Sequence, residues 1–239
     1  MMTSENSLMP VSEHFSELYK IIRTGALIVI LFSLLLSFFV DDLIKYWLGN
    51  LGLDYQLISL SVYSPYDWIN IKWAILLIFS ISIVVPITSL QLRNFALPGL
   101  YPRERKWVSV VLLISSFVVP FSVFLLWFFA LPYGIIFLNE VGIIEGVVAR
   151  YDAVSIISIG IGISWILVIG ISIFIILSLS RIFGIVEDNE SRVRIRILLI
   201  GFSLIFLTLP ETYEGLRILI AFFTIILADS ISRMTPIYE

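Results

Sequence analysis

Hydrophobic residues in this chain are gathered into long stretches that contain no charged side chain. Four of the stretches are long, and they cover residues 24–40, 73–90, 107–139 and 153–180. The hydrocarbon core of a bilayer is crossed by about 20 helical residues. With their flanking residues included, the four stretches therefore predict four membrane-spanning helices.

Two shorter stretches follow, at residues 197–210 and 218–228. A helix of 14 residues rises only about 21 Å, which is less than the thickness of the hydrocarbon core. Each stretch is either a short span or one half of a re-entrant hairpin, and in both cases the pair leaves and returns to the same side. A pair this short is expected to thin the bilayer locally.

The pattern as a whole predicts an all-α polytopic membrane protein with six transmembrane helices, the last two short, in a single domain over residues 1–239. The expected spans are residues 24–40, 69–92, 107–130, 154–180, 195–210 and 216–229. Composition agrees, because 59% of the residues are hydrophobic, 14% are charged and the mean hydropathy is +1.05. A soluble domain of this length could not bury that much apolar surface.

The positions of the basic residues predict the orientation in the membrane. Of the 15 Lys and Arg residues, 11 fall on one side of the six-span arrangement and 4 on the other. The positive-inside rule then places both termini in the cytoplasm, with the chain in the cytoplasmic membrane. The net charge of −3 gives no general attraction to nucleic acid, and the absence of cysteine excludes disulfide and thiol chemistry.

Several helix ends are readable from short motifs. Ser64-Pro65-Tyr66-Asp67 combines an N-cap residue, a first-position proline and a first-turn acid, which predicts the start of the second span. Either Pro98 or Pro102 is expected to open the third span, and Ser12 is expected to cap a cytoplasmic helix that continues into the first. Three prolines lie within spans and are expected to kink them: Pro86, Pro120 and Pro132.

Enzyme signatures are absent from the sequence. It contains no HExxH or GxSxG motif, and no apolar stretch contains an acid, which excludes an intramembrane aspartic dyad. The single histidine, His14, lies outside the bilayer without partners for a metal site, so we expect no cofactor, no metal and no enzymatic activity. The alternative function is a small-molecule transporter or channel. The lack of charge within the membrane argues against ion or proton transport.

Two acids near cytoplasmic helix ends each allow two interpretations. Glu17 either pairs with Lys20 on a wet helix face or accepts a cationic partner. Glu104 either stabilises the N-terminus of the third span, balancing Arg103 and Arg105, or accepts an arginine at the cytoplasmic edge. Spacing alone favours the structural interpretation of both acids.

Five motifs occur in order along the chain. They are His14-Phe15-Ser16-Glu17-Leu18, Ser64-Pro65, a block from Pro86 through Gln91 and Phe95 to Leu97-Pro98-Gly99-Leu100-Tyr101-Pro102-Arg103-Glu104-Arg105-Lys106, Leu131-Pro132, and Leu209-Pro210-Glu211. In this order they resemble the HLxEL, SP, P…YQxWxFxxPGLYxxERR, FP and TPPD motifs of the TatC family, the multispanning subunit of the twin-arginine protein translocase. The resemblance covers nearly the whole chain, and the PGLYxxER block is its most specific part.

The chain departs from the family pattern at three places. Tyr19 stands where an arginine usually follows HLxEL, and Leu90-Gln91-Leu92-Arg93 replaces YQxW. In the fourth span, Ser172 and Phe174 stand where the family usually has a buried glutamate or glutamine followed by a proline. A role that needs a titratable group in the middle of the membrane is therefore not supported by this sequence.

The resemblance implies a non-enzymatic receptor and translocation core that binds signal peptides with paired arginines and moves folded proteins outward, driven by the proton gradient. Glu17 and Glu104 match the family positions associated with recognition of the arginine pair. Roles in shaping the loop and groove fall on His14, Pro86, Gln91, Phe95, Pro98, Gly99, Leu100, Tyr101 and Arg105. The implied partners are TatA-type single-span subunits, proteins with twin-arginine signal peptides and the lipid bilayer. A homo-oligomer is left open.

Overall fold

The computed structural model describes residues 11–51, 59–62, 64–141, 150–186 and 192–235. Within these ranges the elements are α1 (Val11–Ser37), α2 (Val40–Gly49), β1 (Ser59–Ser61), α3 (Pro65–Ala96), α4 (Pro102–Leu125), α5 (Leu131–Val141), β2 (Arg150–Asp152), α6 (Ala153–Ile182), α7 (Arg192–Thr208) and α8 (Arg217–Ser232). Two 3₁₀ turns, Leu97–Gly99 and Glu211–Tyr213, and a π-turn, Leu126–Ala130, connect or interrupt the helices.

Four helical segments are long and apolar enough to cross a membrane. They are Ser16–Ser37, Pro65–Gly99, Pro102–Leu138 and Ala153–Ile182. Each overlaps one of the four long apolar stretches, so the sequence predicted these segments correctly. By contrast, α7 and α8 have 17 and 16 residues and rise only about 26 and 24 Å, which agrees with the expectation of a short final pair.

The end of the first predicted span is wrong. Helix α1 ends at Ser37, and Val40 begins the separate helix α2, in which Asp41 and Asp42 occupy the first turn. Acids stabilise a helix N-terminus, which explains why the chain starts a new helix there. The predicted cap at Ser12 is also wrong, because α1 begins at Val11.

Two short strands correct the all-α prediction. Strands β1 and β2 pair in parallel, with Ser59 opposite Arg150 and Ser61 opposite Asp152. The first precedes α3 and the second leads directly into α6, so the pairing holds the starts of these two helices at the same end of the bundle. The carboxylate of Asp152 then caps α6 by accepting hydrogen bonds from the backbone N–H groups of Val154 and Ser155, at 3.2 and 3.1 Å.

The predicted helix start at Ser64 is confirmed. Its Oγ accepts a hydrogen bond of 3.3 Å from the backbone N–H of Asp67, and Pro65 is the first residue of α3. The choice between Pro98 and Pro102 is also decided, because α4 begins at Pro102.

The apolar core is divided along the bundle. One cluster joins α1, α2, α3, α4 and the first half of α6, with Ile78, Val119 and Ile157 almost completely buried. A second cluster joins the rest of α6 to α7 and α8, where Leu177 and Ile205 are fully buried. The short pair is thus attached to the rest of the bundle mainly through α6.

Candidate functional site

The turn between α3 and α4 carries most of the residues that the sequence singled out. Residues Leu97–Gly99 form one 3₁₀ turn, in which the Leu100 N–H donates to the Leu97 carbonyl at 3.4 Å. Leu100 then packs against an apolar cluster that contains Val108 of α4 and Ile182 of α6. These contacts attach the turn to two helices.

Gly99 does not have the role expected of a glycine in a tight reversal. Its φ is not positive, and a Cβ built on it would meet no atom within 4 Å. The turn is therefore formed by the 3₁₀ geometry and by Pro102 at the first position of α4 rather than by the conformational freedom of glycine. Pro98, Gly99 and Tyr101 are exposed at this surface.

Glu104 is held in place by the start of α4. Its Oε2 accepts a hydrogen bond of 3.0 Å from the backbone N–H of Tyr101, the residue that precedes the helix. This is the carboxylate half of a capping box, and it satisfies a donor that the helix leaves unpaired. The side chain is half-buried, and Arg103 and Arg105 beside it are exposed. The structural interpretation of Glu104 is therefore correct as far as helix capping is concerned.

Glu17 lies on an exposed face of α1, and Lys20 is exposed as well. Among the side chains that the structure describes, neither Glu17 nor Glu104 forms a salt bridge. The predicted pair between Glu17 and Lys20 is therefore not formed. His14 lies in α1, and its side chain is outside the described residues.

The helix registers bring Glu17 and Glu104 to the same end of the bundle. In α1, Gly25 faces Thr88 of α3, and Ser33 donates a hydrogen bond of 3.0 Å to Ser80, so the two helices run antiparallel. Glu17 comes eight residues before Gly25, which puts it about 12 Å further along, level with the last turn of α3.

The register of α4 against α3 places Glu104 in the same way. Arg93 near the end of α3 donates a hydrogen bond of 3.1 Å from Nε to Ser109 of α4. Glu104 comes five residues before Ser109, so it also lies level with the end of α3, about 8 Å beyond that bond. The two acids therefore share a level, and α3 packs against both of the helices that carry them.

Three further predicted residues lie on α3 behind this surface. Pro86 is inside the helix, and Gln91 and Phe95 are half-buried. The Oε1 atom of Gln91 is buried and has no hydrogen-bond partner among the described residues. An unsatisfied buried acceptor costs free energy. Packing alone therefore does not explain why a polar side chain stands at Gln91.

A cluster of one carboxylate and three arginines was missed by the sequence analysis. Asp229, near the end of α8, is 7% exposed. Arg194 of α7 binds the carboxylate in a bidentate manner, with Nε donating to Oδ1 at 2.8 Å and Nη2 donating to Oδ2. Arg233, the residue that follows α8, donates to Oδ2 from Nε and Nη2 at 3.3 and 3.2 Å. The Nη2 atom of Arg181, the last basic residue of α6, lies 3.6 Å from Oδ1.

This cluster joins the ends of three helices, α6, α7 and α8, through one side chain. Arg181 is only 1% exposed, so its charge depends on a nearby carboxylate. The signal in the sequence is faint: an acid at the end of an apolar stretch, four residues before an arginine. Nothing in the local pattern shows that Arg181 and Arg194 come to the same place.

A groove between α4, α6 and α8 has a volume of about 550 Å³. Its walls are almost wholly apolar, and Gly170 of α6 lies in the wall close to Thr224 of α8. Its two hydroxyl-bearing residues turn back to their own helices: Ser115 donates to Val111 O at 2.6 Å and Thr224 to Ile220 O at 2.8 Å. The groove therefore offers hydrocarbon rather than hydrogen bonds.

Two serines of α6 donate hydrogen bonds back to their own helix. Ser164 donates to the carbonyl of Gly160 and Ser172 to that of Val168, both at 2.7 Å. These bonds satisfy the hydroxyls within the helix. Ser172 therefore presents no free polar group to the groove.

A comparison with known families decides the identity of this fold. The sequence profile of the family described as "Sec-independent protein translocase protein (TatC)" matches residues 13–212, well over half of the chain. The chain belongs to the TatC family. The resemblance inferred from the motifs is confirmed, and so is the expectation that the chain is not an enzyme, because the family consists of translocase components.

A relative and two solved structures support the assignment. The TatC protein of Methanocella arvoryzae (strain DSM 22066 / NBRC 105507 / MRE50) is 28% identical over 149 residues, which cover 56% of this chain and 59% of that protein. Two crystal structures of a twin-arginine translocase receptor, TatC, one of them in DDM, match with a TM-score of 0.64 and 19% identity. The first structure covers 93% of this chain and is matched over 99% of its own length. The second, in DDM, covers 94% of this chain and is matched over 100% of its own length. This chain therefore has the TatC fold and is a membrane protein.

Proposed function

We propose that this chain is the signal-peptide receptor and core subunit of a twin-arginine translocase, which exports folded proteins across the cytoplasmic membrane using the proton gradient. The observation that carries the proposal is the match to the TatC family over residues 13–212. Both termini are cytoplasmic in this arrangement, and the α3–α4 turn faces the cytoplasm. The 11-to-4 division of basic residues supports that orientation.

In this proposal Glu17 and Glu104 receive the paired arginines of the signal peptide. A guanidinium fork is best matched by a carboxylate, and the two acids lie level with each other at the end of α3. The exposed carboxylate of Glu17 is available to a partner. One carboxylate oxygen of Glu104 accepts a hydrogen bond from the Tyr101 N–H. This bond fixes the side-chain rotamer and so the direction of the second oxygen.

The two carboxylates supply only part of the required affinity. A micromolar complex needs about 8 kcal/mol, and each hydrogen bond to a charged group contributes about 1.5–3 kcal/mol. The remainder is assigned to the apolar stretch of the signal, lying against the groove between α4, α6 and α8. Ile114 in the groove comes ten residues after Glu104 on α4, which is about 15 Å along the axis.

The proposed partners are single-span TatA-type subunits in the same membrane. The hydroxyls of Ser164 and Ser172 are not available to carry protons, because both bond to carbonyls within α6. Coupling to the proton gradient is therefore assigned to the assembled complex rather than to this chain alone.

The test is co-purification of the detergent-solubilised chain with a twin-arginine signal peptide and, in parallel, with a twin-lysine control. We expect recovery of the arginine peptide to exceed that of the lysine peptide, because only arginine presents a planar fork to each carboxylate. Equal recovery of the two peptides would remove the proposal.

A further inference from the structure

A narrow apolar slot lies between α2 and the middle of α3. We call it the α2 slot. Its walls come from α1, α2, α3, the π-turn and α6, and its volume is about 160 Å³. An apolar cavity of this size stays free of water and accepts hydrocarbon ligands.

The shape of the α2 slot follows one face of α3. Ile75, Phe79 and Ile83 line it at spacings of four residues, so it extends about 12 Å along the helix axis. Trp127 forms part of the inner wall and is only 4% exposed, and Ile157 of α6 is fully buried at its base. The slot thus runs along the axis of α3, as the acyl chain of a lipid beside a membrane-spanning helix does.

The mouth of the slot opens to the side of the bundle. Leu43 and Tyr46 of α2 line it and are 53% and 71% exposed, and Phe128 of the π-turn is 50% exposed. These large apolar side chains belong to the surface that a membrane protein presents to lipid. A group entering the slot therefore comes from the hydrocarbon of the bilayer.

Charges are confined to one end of the slot. Lys72, one turn before Ile75 on α3, forms an ion pair with Asp41 of α2. On the exposed side of α2, the ammonium of Lys45 lies 4.0 Å from the carboxylate of Asp42. Both signs are therefore present at this edge, and hydrocarbon begins one helical turn below it.

We propose that the α2 slot binds the acyl chain of one zwitterionic membrane lipid. The tail fills the space between Phe79 and Trp127, and the headgroup lies at the edge marked by Asp42 and Lys45, where a positive and a negative group meet complementary charges. The site is separate from the proposed signal-binding surface, because Ile83, its last residue on α3, lies 13 residues or about 20 Å before the end of that helix at Ala96.

Photolabelling tests the proposal with a probe that reports depth. The chain is reconstituted alone into phosphatidylcholine vesicles that contain a phosphatidylcholine with a diazirine close to the ester end of one acyl chain, because Leu76 lies only four residues, about 6 Å, beyond Lys72 on α3. The adducts are mapped by mass spectrometry. Surrounding lipid labels exposed residues such as Phe117, which is 74% exposed. Only a chain inside the slot labels Leu76 and Trp127, both 4% exposed, and we expect adducts on these two residues.

Variants that fill the slot supply the control. Ile75→Phe and Ile83→Trp each place a larger side chain in the lining of the slot. Each is expected to abolish the Leu76 and Trp127 adducts while the Phe117 adduct persists. Leu77→Phe is the matched control, because Leu77 is 40% exposed on α3 and does not line the slot. Labelling confined to exposed residues in the parent chain overturns the proposal. Undiminished labelling of Leu76 and Trp127 in a folded slot-filling variant overturns it as well, and Ile83→Trp decides this if Ile75→Phe does not fold.

Discussion

The indole Nε1 of Trp47 donates a hydrogen bond of 2.7 Å to the backbone carbonyl of Trp127. That carbonyl is left without a helical partner for two reasons. In the π-turn, the Leu131 N–H bonds to Leu126 O instead, and the next residue, Pro132, has no N–H to donate. Helix α2 thus supplies the hydrogen-bond donor that this carbonyl in the segment Pro102–Leu138 lacks. The two indole rings also meet edge to face, with their centroids 5.2 Å apart.

Replacement of Trp47 by Phe is therefore expected to destabilise the fold by about 1–3 kcal/mol, because it keeps an aromatic ring but leaves a buried carbonyl without its donor. The measurement is thermal unfolding of the purified chain in detergent. Trp73→Phe is the control, since Trp73 is 59% exposed, and it is expected to have little effect. Equal melting temperatures for the two variants would show that the Trp127 carbonyl finds another partner.

Asp229→Asn is expected to loosen the short helical pair. The substitution leaves Arg181, which is 1% exposed, without a compensating carboxylate, and breaking a buried ion pair from one side costs about 3–5 kcal/mol. Hydrogen exchange should accelerate in α7 and α8 before it does in α3. In the control, Asp42→Asn, the side chain is 84% exposed, so the loss is expected to stay below about 1 kcal/mol. Unchanged exchange in α7 and α8 would mean that the arginines do not depend on Asp229.

Tyr213 is expected to make the stability pH-dependent at high pH. Its ring packs so closely on α6 that a Cβ on Gly162 would clash with it, and its hydroxyl donates a 2.6 Å hydrogen bond to the Ile159 carbonyl. Burial raises the pKa of Tyr213 from 10.0 to about 12. The folded state therefore holds the proton more tightly than the unfolded state does.

The stability that this contributes is complete below pH 10 and is lost as the pH rises from 10 to about 12. Unfolding of the parent chain and of Tyr213→Phe should be compared across this range. We expect the difference in melting temperature between them to shrink as the pH rises. A difference that stays constant would show that ionisation of Tyr213 is not linked to folding.

The proposed orientation is testable with single cysteines, because the chain contains no cysteine of its own. Asn50 follows α2, and Asn94 is exposed near the end of α3 at the other end of the bundle. In intact cells a membrane-impermeant thiol reagent should label Asn50→Cys and not Asn94→Cys. Lysed cells should give labelling of both, and the reverse pattern in intact cells would discard the cytoplasmic location of Glu104.

Glu104→Gln is expected to weaken binding of a twin-arginine peptide by about 5- to 150-fold, which corresponds to a loss of about 1–3 kcal/mol. Glutamine keeps an oxygen for the Tyr101 N–H, so the cap of α4 is preserved while the charge is removed. Glu17→Gln should have a similar effect, and the double variant should lose less than the sum if the two acids act as one site. Binding of a twin-lysine peptide should barely change. Folded variants that bind both peptides like the parent would leave the two acids with structural roles only.

The sequence alone predicted most of the features that depend on residues close to each other in the chain. The apolar stretches and the Ser64 cap depend on residues close together in the chain, and the structure confirms them. The sequence left Pro98 and Pro102 as alternative starts of the third span, and the structure selects Pro102. The hydroxyls of Ser164 and Ser172 also bond within one helical turn, to carbonyls four residues earlier in the chain. For the proposed signal-binding surface, the motifs suggested Glu17 and Glu104, and the registers of α1 and α4 against α3 add that the two acids lie at one level.

By itself, the sequence determined that this chain is a bundle of long apolar helices of the TatC family, because length, hydropathy and motif order are properties of the chain alone. Only the tertiary structure decided that Trp47 repairs the π-turn 80 residues away and that Asp229 gathers Arg181, Arg194 and Arg233. Arg194 and Asp229 are 35 residues apart, and an ion pair of that separation leaves no periodic trace in the chain. Such pairs form because packing of α6, α7 and α8 buries the charges together, where each one requires the other.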